Sequence, residues 1–404
     1  MEIIQKDIVL LLKSAITGKK YELSKQFNIN NIMTIAHNHS IVSLIFHGAM
    51  NCGMKLDNPI MQKLFAEYCS YLGQHEKQMY EINRIYEEFE KTGINYMPVK
   101  GCNMKSLYPQ PEMRVMGDAD ILIKRSQYNL IQQIMEKLGF EFELEGDHDY
   151  TWISPNLHLE LHYLLMYSYN EEYERYFGNG WKLAKYNEGH KFGMSPEDEF
   201  IYMFIHFTKH YRSGGIGCRH VVDLWVYLRS YPNLNFKYIE EVMERLSVSK
   251  FFKNMINMID MWFNDMDGDD VTELMTQYIF DSGSWGTLES ASMARGVRAI
   301  QTEGNEFKGR IKVVREAIFP SLNIIRHRYN ILRKYPCLLP AVWVWRWIDA
   351  VLFRKANVMS YKKEVENILQ KDMSIYEKNL QKVGLNFTFD EQKMNNAEVK
   401  YGKK

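Results

Sequence analysis

The feature of this sequence that most restricts its fold and its function is a pair of carboxylates at the start of a strongly apolar segment. Asp118 and Asp120, separated by one alanine, lead directly into the apolar run at residues 121–123. Successive side chains of a β-strand point to opposite faces, so a strand here places both carboxylates on one face. Like charges held this close raise each other's pKa unless a cation or a donor lies between them. The pattern therefore predicts a strand that carries a site for an oxygen-preferring divalent cation such as Mg²⁺.

A third carboxylate follows in a second alternating segment. Residues 158–162 read His-Leu-Glu-Leu-His, which places Glu160 on one strand face with His158 and His162 on either side of it. From a neighbouring strand Glu160 completes a metal site for phosphoryl chemistry. We expect one of the two histidines to orient Glu160 as an outer partner. A separate zinc site made of the three residues is the less favoured alternative, because alternating ligands spread out along a strand.

These residues carry a resemblance to a known family. A turn follows a short extended run, an Asp-x-Asp begins the next strand, and a later strand carries an acidic residue. The residues that carry this pattern are Lys100-Gly101 at the turn, Tyr108-Pro109 and Arg114 before Asp118-x-Asp120, and Glu160-Leu161-His162. The pattern resembles the uncharacterised nucleotidyltransferases within the superfamily of the polymerase-beta type. The resemblance covers residues 94–163 well and 195–228 more loosely. The turn here reads Gly101-Cys102, whereas the superfamily usually has Gly-Ser or Gly-Gly.

The resemblance implies a metal-dependent transfer of a nucleoside monophosphate. Asp118 and Asp120 would bridge two Mg²⁺ (or Mn²⁺) ions, one of which holds the β- and γ-phosphates of a nucleoside triphosphate. Glu160 would join the second ion and help to deprotonate an acceptor hydroxyl, which attacks the α-phosphorus and expels pyrophosphate. The acceptor is left open between a small molecule, an RNA end and a protein side chain.

The resemblance also implies a nucleotide-binding set. The backbone at Gly101 would let the triphosphate approach closely, and Lys100 and Arg114, with Lys105 as a third, would contact its phosphates. For Lys100 a structural salt bridge to one of the site carboxylates is nearly as well supported. The alternatives to an active enzyme of this kind are a toxin-like transferase acting on tRNA or protein, a catalytically inactive nucleotide- or partner-binding module, and a hydrolase that uses the His-Glu-His cluster.

Bulk properties limit the partners and the compartment. The 404 residues include 50 basic and 50 acidic side chains, so no global field attracts nucleic acid and no stable DNA binding is expected. Five widely spaced cysteines indicate neither a disulfide framework nor a cysteine zinc site, which favours the reducing cytoplasm. The first 20 residues are typical of an amphipathic helix and not of a signal peptide. The abundance of Tyr, Met, Asn and Lys points to an AT-rich bacterial coding bias.

The predicted class is α+β, with a small mixed β-sheet core and flanking helices between two helical regions. We expect an N-terminal helical region at 1–92, a nucleotidyltransferase core at 93–190, a helical domain at 191–390 and a disordered tail at 391–404. Helices are predicted at 31–47, at 59–91 before the Thr92-Gly93 stop, and at 127–138. Strands are predicted at 140–144, 150–153 and 157–164, with a turn at 147–149 and a hairpin turn at 154–156.

Ser195-Pro196 predicts a helix start, with a helix to Tyr211 and a second one at 218–228. The Gly-rich stretch at 213–217 between them is either a connector or a phosphate-binding loop, and the sequence favours neither. Arg219 and Asp223 lie one turn apart and are expected to pair. His206 and His210 share a helix face, and a packed or hydrogen-bonded pair is favoured over zinc ligation.

The apolar segment at 336–353 is too short and too charged to span a bilayer comfortably. Its three tryptophans, Trp343, Trp345 and Trp347, alternate and so spread over more than one face of a helix. This favours a buried helix over an amphipathic helix that rests on a membrane surface, so peripheral membrane contact is not expected.

Overall fold

The structure is a computed structural model that describes residues 1–353 and 373–387, apart from 147, 167–170, 285, 326–328 and 330. It confirms the predicted class, because a seven-stranded mixed sheet lies among helices that precede and follow it. The predicted tail at 391–404 lies outside the described residues.

Four helices precede the sheet: α1 (Ile3–Thr17), α2 (Ile29–Asn38), α3 (Val42–Asn51) and α4 (Pro59–Thr92). Gly93 ends α4 in the left-handed conformation, as the sequence predicts, and the structure shows that the Asn58 side chain caps its start. The single helix predicted at 31–47 is wrong, because the chain breaks at Ser40, whose φ is +54°. A non-glycine residue in the left-handed region interrupts a helix, so α2 and α3 are separate.

In its described residues the central segment contains seven strands, three α-helices and several 3₁₀ turns. The strands are β1 (Tyr96–Val99), β2 (Asp118–Ile123), β3 (Glu141–Glu145), β4 (Asp149–Ile153), β5 (His158–His162), β6 (Lys185–Glu188) and β7 (Lys191–Gly193). The helices are α5 (Gly101–Met104), α6 (Tyr128–Lys137) and α7 (Glu171–Phe177). The strand order is β3-β4-β5-β2-β1-β7-β6. Asp149 belongs to β4, opposite His162, and not to the turn predicted at 147–149.

The register of the three central strands positions the acidic residues. β2 runs parallel to β5, with Asp120 opposite Glu160, and antiparallel to β1, with Asp120 opposite Val99. Since side chains alternate along a strand, Asp118, Asp120 and Leu122 share a face. Leu122 packs into the larger of the two main hydrophobic clusters, whereas the opposite face of β2 packs into the other cluster with the C-terminal half of α4 and with α6.

The remaining described helices form the region after the sheet. They are α8 (Pro196–Arg212), α9 (Cys218–Ser230), α10 (Phe236–Arg245), α11 (Ser249–Phe263), α12 (Asp270–Ser282), α13 (Leu288–Glu303), α14 (Glu306–Ile318), α15 (Leu322–Ile325), α16 (Ile331–Lys334), α17 (Leu339–Phe353) and α18 (Met373–Val383). Residues of α1 to α4 share the larger cluster with α8 to α12, so the helices before and after the sheet cover the same face of it. In the described parts of the chain, no helix has both the length and the apolarity needed to cross a bilayer.

Helix α17 is only partly buried. Trp343 Nε1 donates to the carbonyl of Pro320 at 3.0 Å, and Trp347 Nε1 donates to the carbonyl of Ile318. Trp345, in contrast, is 55 % exposed. The burial predicted from the alternating tryptophans is therefore wrong for the side of α17 that carries Trp345.

Candidate active site

The face of β2 and β5 that turns toward α8 carries the polar residues. Asp118, Asp120 and Glu160 all line one cavity of about 240 Å³. The residues between them, such as Ala119 and Leu159, are fully buried in the hydrophobic cluster on the other side of the sheet. The strand alternation read from the sequence therefore places the three predicted carboxylates around one space.

A buried salt bridge lies at the centre of this face. Lys100 Nζ donates to Asp120 Oδ1 at 2.6 Å, with the Asp120 side chain only 3 % exposed. Burial opposes ionisation of Asp120, but Lys100 and His162 outweigh it and hold the pKa of this carboxyl below its usual range. The backbone of Lys100 has a φ of +51°, an uncommon conformation for a residue with a side chain. The salt bridge considered for Lys100 from the sequence is present.

His162 joins two of the carboxylates. Its Nε2 lies 2.8 Å from Asp120 Oδ1 and 3.3 Å from Glu160 Oε2. Burial and Lys100 disfavour the charged ring, but Asp120 and Glu160 prevail and raise the pKa of His162. The ring's Nδ1 is buried and finds no hydrogen-bond partner among the described residues. His158, in contrast, is partly exposed and lies 3.3 Å from Glu143, so of the two histidines only His162 touches Glu160 within the described chain.

Ligand atoms of Asp120, Glu160 and His162 lie within 4.8 Å of one another, close enough to share a metal ion. Asp118 lines the same cavity but is outside this close group. Burial, then Asp120 and Glu160, raise the pKa of Asp118. Carboxylate oxygens that repel one another fit a hard divalent cation, which relieves the repulsion. The three carboxylates of Asp118, Asp120 and Glu160 therefore fit a hard divalent cation such as the predicted Mg²⁺ or Mn²⁺.

The opposite side of the cavity is lined by α8 and α9. His206 Nε2 and His210 Nε2 lie 3.0 Å apart, which is the hydrogen-bonded pair predicted from their spacing. Lys209 also lines the cavity, and burial lowers the pKa of its ammonium to about 7. Arg219 and His220 come from the first turn of α9. The sequence reasoning did not include Lys209 in the site. The sequence feature that could have identified Lys209 is its position as a lysine within the apolar pattern of α8.

A second buried ion pair adjoins the cavity. Arg114 donates to both oxygens of Asp223, through Nε at 2.8 Å and Nη2 at 3.0 Å, and Tyr108 Oη donates to Oδ1 at 2.6 Å. The predicted pairing of Arg219 with Asp223 is wrong, because these donors occupy the carboxylate. Arg219 instead donates to the carbonyl of Val115 at 3.3 Å. Arg114 lines the cavity, as a nucleotide-binding residue requires, but its charge is already paired.

Lys105 and Gly101 have structural contacts that the sequence did not reveal. Lys105 is 4 % exposed, its Nζ donates to the carbonyl of Arg114 at 3.0 Å, and its side chain does not line the cavity. Gly101 does line the cavity, but a Cβ there would lie 3.0 Å from Arg114 Nη1 and 3.2 Å from Met116. The absence of a side chain at Gly101 therefore leaves room for the Arg114 guanidinium.

The Gly-rich stretch at 213–217 packs against protein. A Cβ at Gly214 would contact Ala291, and one at Gly215 would lie 2.2 Å from Ser282 Oγ. The backbone N–H of Cys218, at the start of α9, already donates to His39 Nδ1 at 3.1 Å. These contacts favour the connector over the phosphate loop.

A mixed sheet that presents carboxylates to a buried cavity is the arrangement expected of a nucleotidyltransferase, and sequence comparison agrees. A family described as "Uncharacterised nucleotidyltransferase" matches residues 25–264, more than half of the chain. The protein belongs to this uncharacterised nucleotidyltransferase family. The match confirms the resemblance and extends it into the helices on both sides of the sheet. No curated protein and no solved structure gives a significant match.

Proposed function

We propose that this protein is a metal-dependent nucleotidyltransferase that transfers a nucleoside monophosphate from a nucleoside triphosphate to an acceptor hydroxyl and releases pyrophosphate. The observation that carries the proposal is the convergence of Asp118, Asp120 and Glu160 on one cavity in a chain of this family. Phosphoryl transfer depends mainly on positioning and on charge stabilisation, both of which a carboxylate-lined cavity with a cationic opposite side provides.

Asp118, Asp120 and Glu160 would hold Mg²⁺ or Mn²⁺, while His162 orients two of these carboxylates. When bound, such ions neutralise phosphate charge and activate the acceptor oxygen. The raised pKa of Asp118 supports this role, because burial and then the neighbouring Asp120 and Glu160 disfavour its charged form, which a bound cation would favour. Oδ1 of Asp120 accepts from both Lys100 and His162, and neither of these donors contacts Oδ2 in the described contacts.

The other residues orient the reactants. Lys100 and His162 fix the Asp120 carboxylate, and His162 also orients Glu160. Glu160 accepts the proton of the acceptor hydroxyl while the acceptor oxygen bonds to the α-phosphorus and the bond to the β-phosphate oxygen breaks. Lys209 and Arg219 face the phosphates from the opposite side of the cavity. Among the predicted nucleotide cations, Lys100 and Arg114 act through the carboxylates they pair with, and Lys105 acts by holding the loop.

A catalytically inactive nucleotide-binding module is the second candidate. One observation favours it: the Lys100 ammonium lies 2.6 Å from Asp120, so a cation already neutralises the central carboxylate without any metal. In such a module Lys100 would fill the metal's electrostatic role, and the cavity would bind a nucleotide without turning it over.

The test uses the purified protein, Mg²⁺ or Mn²⁺, and each of the four α-labelled ribonucleoside triphosphates, with a cell extract as the source of acceptor. The double variant Asp118→Asn/Asp120→Asn is compared with Asp57→Asn/Asp267→Asn, which changes two exposed carboxylates. Label transferred by the wild type and the control, but not by the site variant, establishes transfer and identifies the donor. Metal-independent triphosphate binding without transfer, unchanged in the site variant, indicates the inactive module. Absence of triphosphate binding would refute both.

A further inference from the structure

Arg219 is a buried cation whose hydrogen bonds within the described chain all go to uncharged groups. It lies in the first turn of α9, is 8 % exposed and lines the cavity. Its Nη1 donates to the carbonyl of Val115 at 3.3 Å, and its Nη2 lies 3.1 Å from Nε2 of His220. Burial, and after it Arg219, holds the pKa of His220 well below its usual value, so this ring is neutral and accepts the bond. The Nε of Arg219 is buried and finds no partner among the described residues.

Asp223, one turn further along α9, does not compensate the charge of Arg219. Its two oxygens accept from Arg114, and Tyr108 donates to one of them as well. No other carboxylate of the described chain forms an ion pair with Arg219. Burial and then Arg114 lower the pKa of Arg219, because Asp223, Tyr108 and Asp118 do not offset them. A buried guanidinium without an ion partner is costly unless a ligand supplies the missing negative charge.

The two cations on the helical side of the cavity lie near different carboxylates. Among Asp118, Asp120 and Glu160, it is Glu160 that interacts most strongly with Lys209, whereas Asp118 interacts most strongly with Arg219. The cavity therefore has a Glu160 end beside Lys209 and an Asp118 end beside Arg219.

These two ends match the two sides of an in-line displacement. In phosphoryl transfer the attacking and the leaving oxygens lie on opposite sides of the reacting phosphorus. Glu160 is the residue that would accept the proton of the acceptor hydroxyl, so the acceptor belongs at the Glu160 end. The leaving group then lies at the Asp118 end, where Arg219 has no ion partner.

We propose that Arg219 binds the pyrophosphoryl part of the donor, the β- and γ-phosphates, and holds the pyrophosphate after transfer. The proposal rests on the proposed function and adds the orientation of the donor in the cavity. When the bond between the α-phosphorus and the β-phosphate oxygen breaks, its electron pair leaves with pyrophosphate, and Arg219 stabilises that charge. A guanidinium suits this role because its N–H groups match the geometry of phosphate oxygens.

The test measures binding and does not depend on an acceptor. The full chain is titrated calorimetrically in Mg²⁺ with pyrophosphate and, separately, with each of the four ribonucleoside triphosphates. The site variant is Arg219→Met, and the matched control is Arg315→Met, which removes an exposed arginine elsewhere. Circular dichroism checks folding, and the thermal shift given by Mg²⁺ alone reports the metal site.

We expect Arg219→Met to bind pyrophosphate at least about tenfold more weakly than the wild type and the control, because it loses a charge-assisted contact. Binding of the triphosphate should weaken by the same factor, since the contact lies on the part that the two ligands share. The Mg²⁺ thermal shift of the variant should be at least as large as that of the wild type. If Arg219→Met does not fold, Arg219→Lys serves instead, and without the guanidinium it should still bind pyrophosphate about threefold or more weakly.

Unchanged pyrophosphate binding by the folded variant, or absence of pyrophosphate binding by the wild type, overturns the proposal whether or not the protein transfers nucleotide. Weaker pyrophosphate binding with unchanged triphosphate binding also overturns it, because Arg219 would then hold an anion other than the donor. If the wild type binds no triphosphate but binds pyrophosphate through Arg219, the anion site stands and the proposed transfer fails.

Discussion

Two buried ion pairs adjoin the same cavity, and they differ in what surrounds them. Asp223 receives Arg114 through both of its oxygens and Tyr108 in addition. Asp120 receives Lys100 and His162, both on one oxygen. The single positive charge of Arg114 balances the single negative charge of Asp223. This pair links the segment after β1 to α9. Asp120 instead has further carboxylates, Asp118 and Glu160, beside it.

The difference teaches how a buried charge is recognised as structural or functional. A carboxylate whose partners satisfy both oxygens gains specificity of fold and has no capacity left for a ligand. A group of carboxylates that outnumbers its cations is under electrostatic strain, and a bound cation relieves that strain. By this criterion the Arg114–Asp223 pair holds the loop, and the Asp120 group is the place where we propose that a ligand binds.

The largest expected effect is on transfer. Asp120→Asn should lower the transfer rate by at least about a thousandfold, because it removes a charged ligand of the proposed metal. The measurement is label transfer from the triphosphate under single-turnover conditions, with the exposed Asp267→Asn as the matched control. A transfer rate within about tenfold of the wild type would show that Asp120 is not a metal ligand.

Removing the second pair should act on stability. Asp223→Asn should lower the free energy of unfolding by about 3–5 kcal/mol, because Arg114 then remains buried without its charge partner. Urea unfolding measures the loss. Arg114→Met/Asp223→Leu is the control, since replacing both partners with apolar residues should recover most of the loss. If Asp223→Asn were as stable as the wild type, the pair would not hold the loop.

The same variant gives a pH test with a defined sign. Burial opposes ionisation of Asp223, but Arg114 and Arg219 outweigh it and lower its pKa below the usual value. A depressed carboxyl pKa contributes stability above the unfolded-state pKa, near 3.9, and that contribution is lost as the pH falls toward the folded-state pKa. The stability difference between the wild type and Asp223→Asn should therefore shrink as the pH falls below about 4. A constant difference would contradict this.

Substitution of Asp118 should raise stability, whereas substitution of Asp223 lowers it. Asp118→Asn removes a carboxylate whose ionisation is disfavoured by burial and by Asp120 and Glu160. In EDTA we expect its melting temperature to rise by about 1–2 °C, corresponding to roughly 1 kcal/mol for a chain of this length. The same variant should lose most of the stabilisation that Mg²⁺ gives the wild type. A lower melting temperature in EDTA would show that Asp118 is stabilised by a contact and not strained.

The smallest effect separates the two histidines of β5. His158→Ala should change the transfer rate by less than about twofold, because His158 lies against Glu143 at the surface and exposed contacts of this kind contribute little. His162→Ala, which frees Asp120 and Glu160, should lower the rate far more. The measurement is the same transfer assay. Equal losses in the two variants would contradict the assignment of His162 as the positioning residue.

Local rules were sufficient for the arrangement of the carboxylates. The alternation of side chains predicted that Asp118 and Asp120 share a face, and the apolar residues between them predicted which face is buried. The C-terminal end of α4 followed from Thr92 and Gly93. These features depend on neighbours in the sequence. The catalytic and binding roles of the residues stay predictions.

What the sequence did not reveal depends on contacts between distant segments. Asp223 was expected to pair with Arg219 in its own helix, but Arg114 reaches it from 109 residues away. The alternation could not distinguish His158 from His162, because both have the same parity and only the packing around β5 separates them. The exposed face of α17 was missed because Trp343 and Trp347 bond to carbonyls near residue 320, which no periodicity encodes.

The bond between Arg114 and Asp223 also sets the order in which the protein can mature during synthesis. The last strand of the sheet ends at Gly193, before the ribosome has made α9 and the carboxylate that holds Arg114. A nascent chain that has completed all seven strands still has an unanchored segment between β1 and β2 and no second side to its cavity. The cavity therefore becomes complete only after Asp223 emerges and pairs with Arg114.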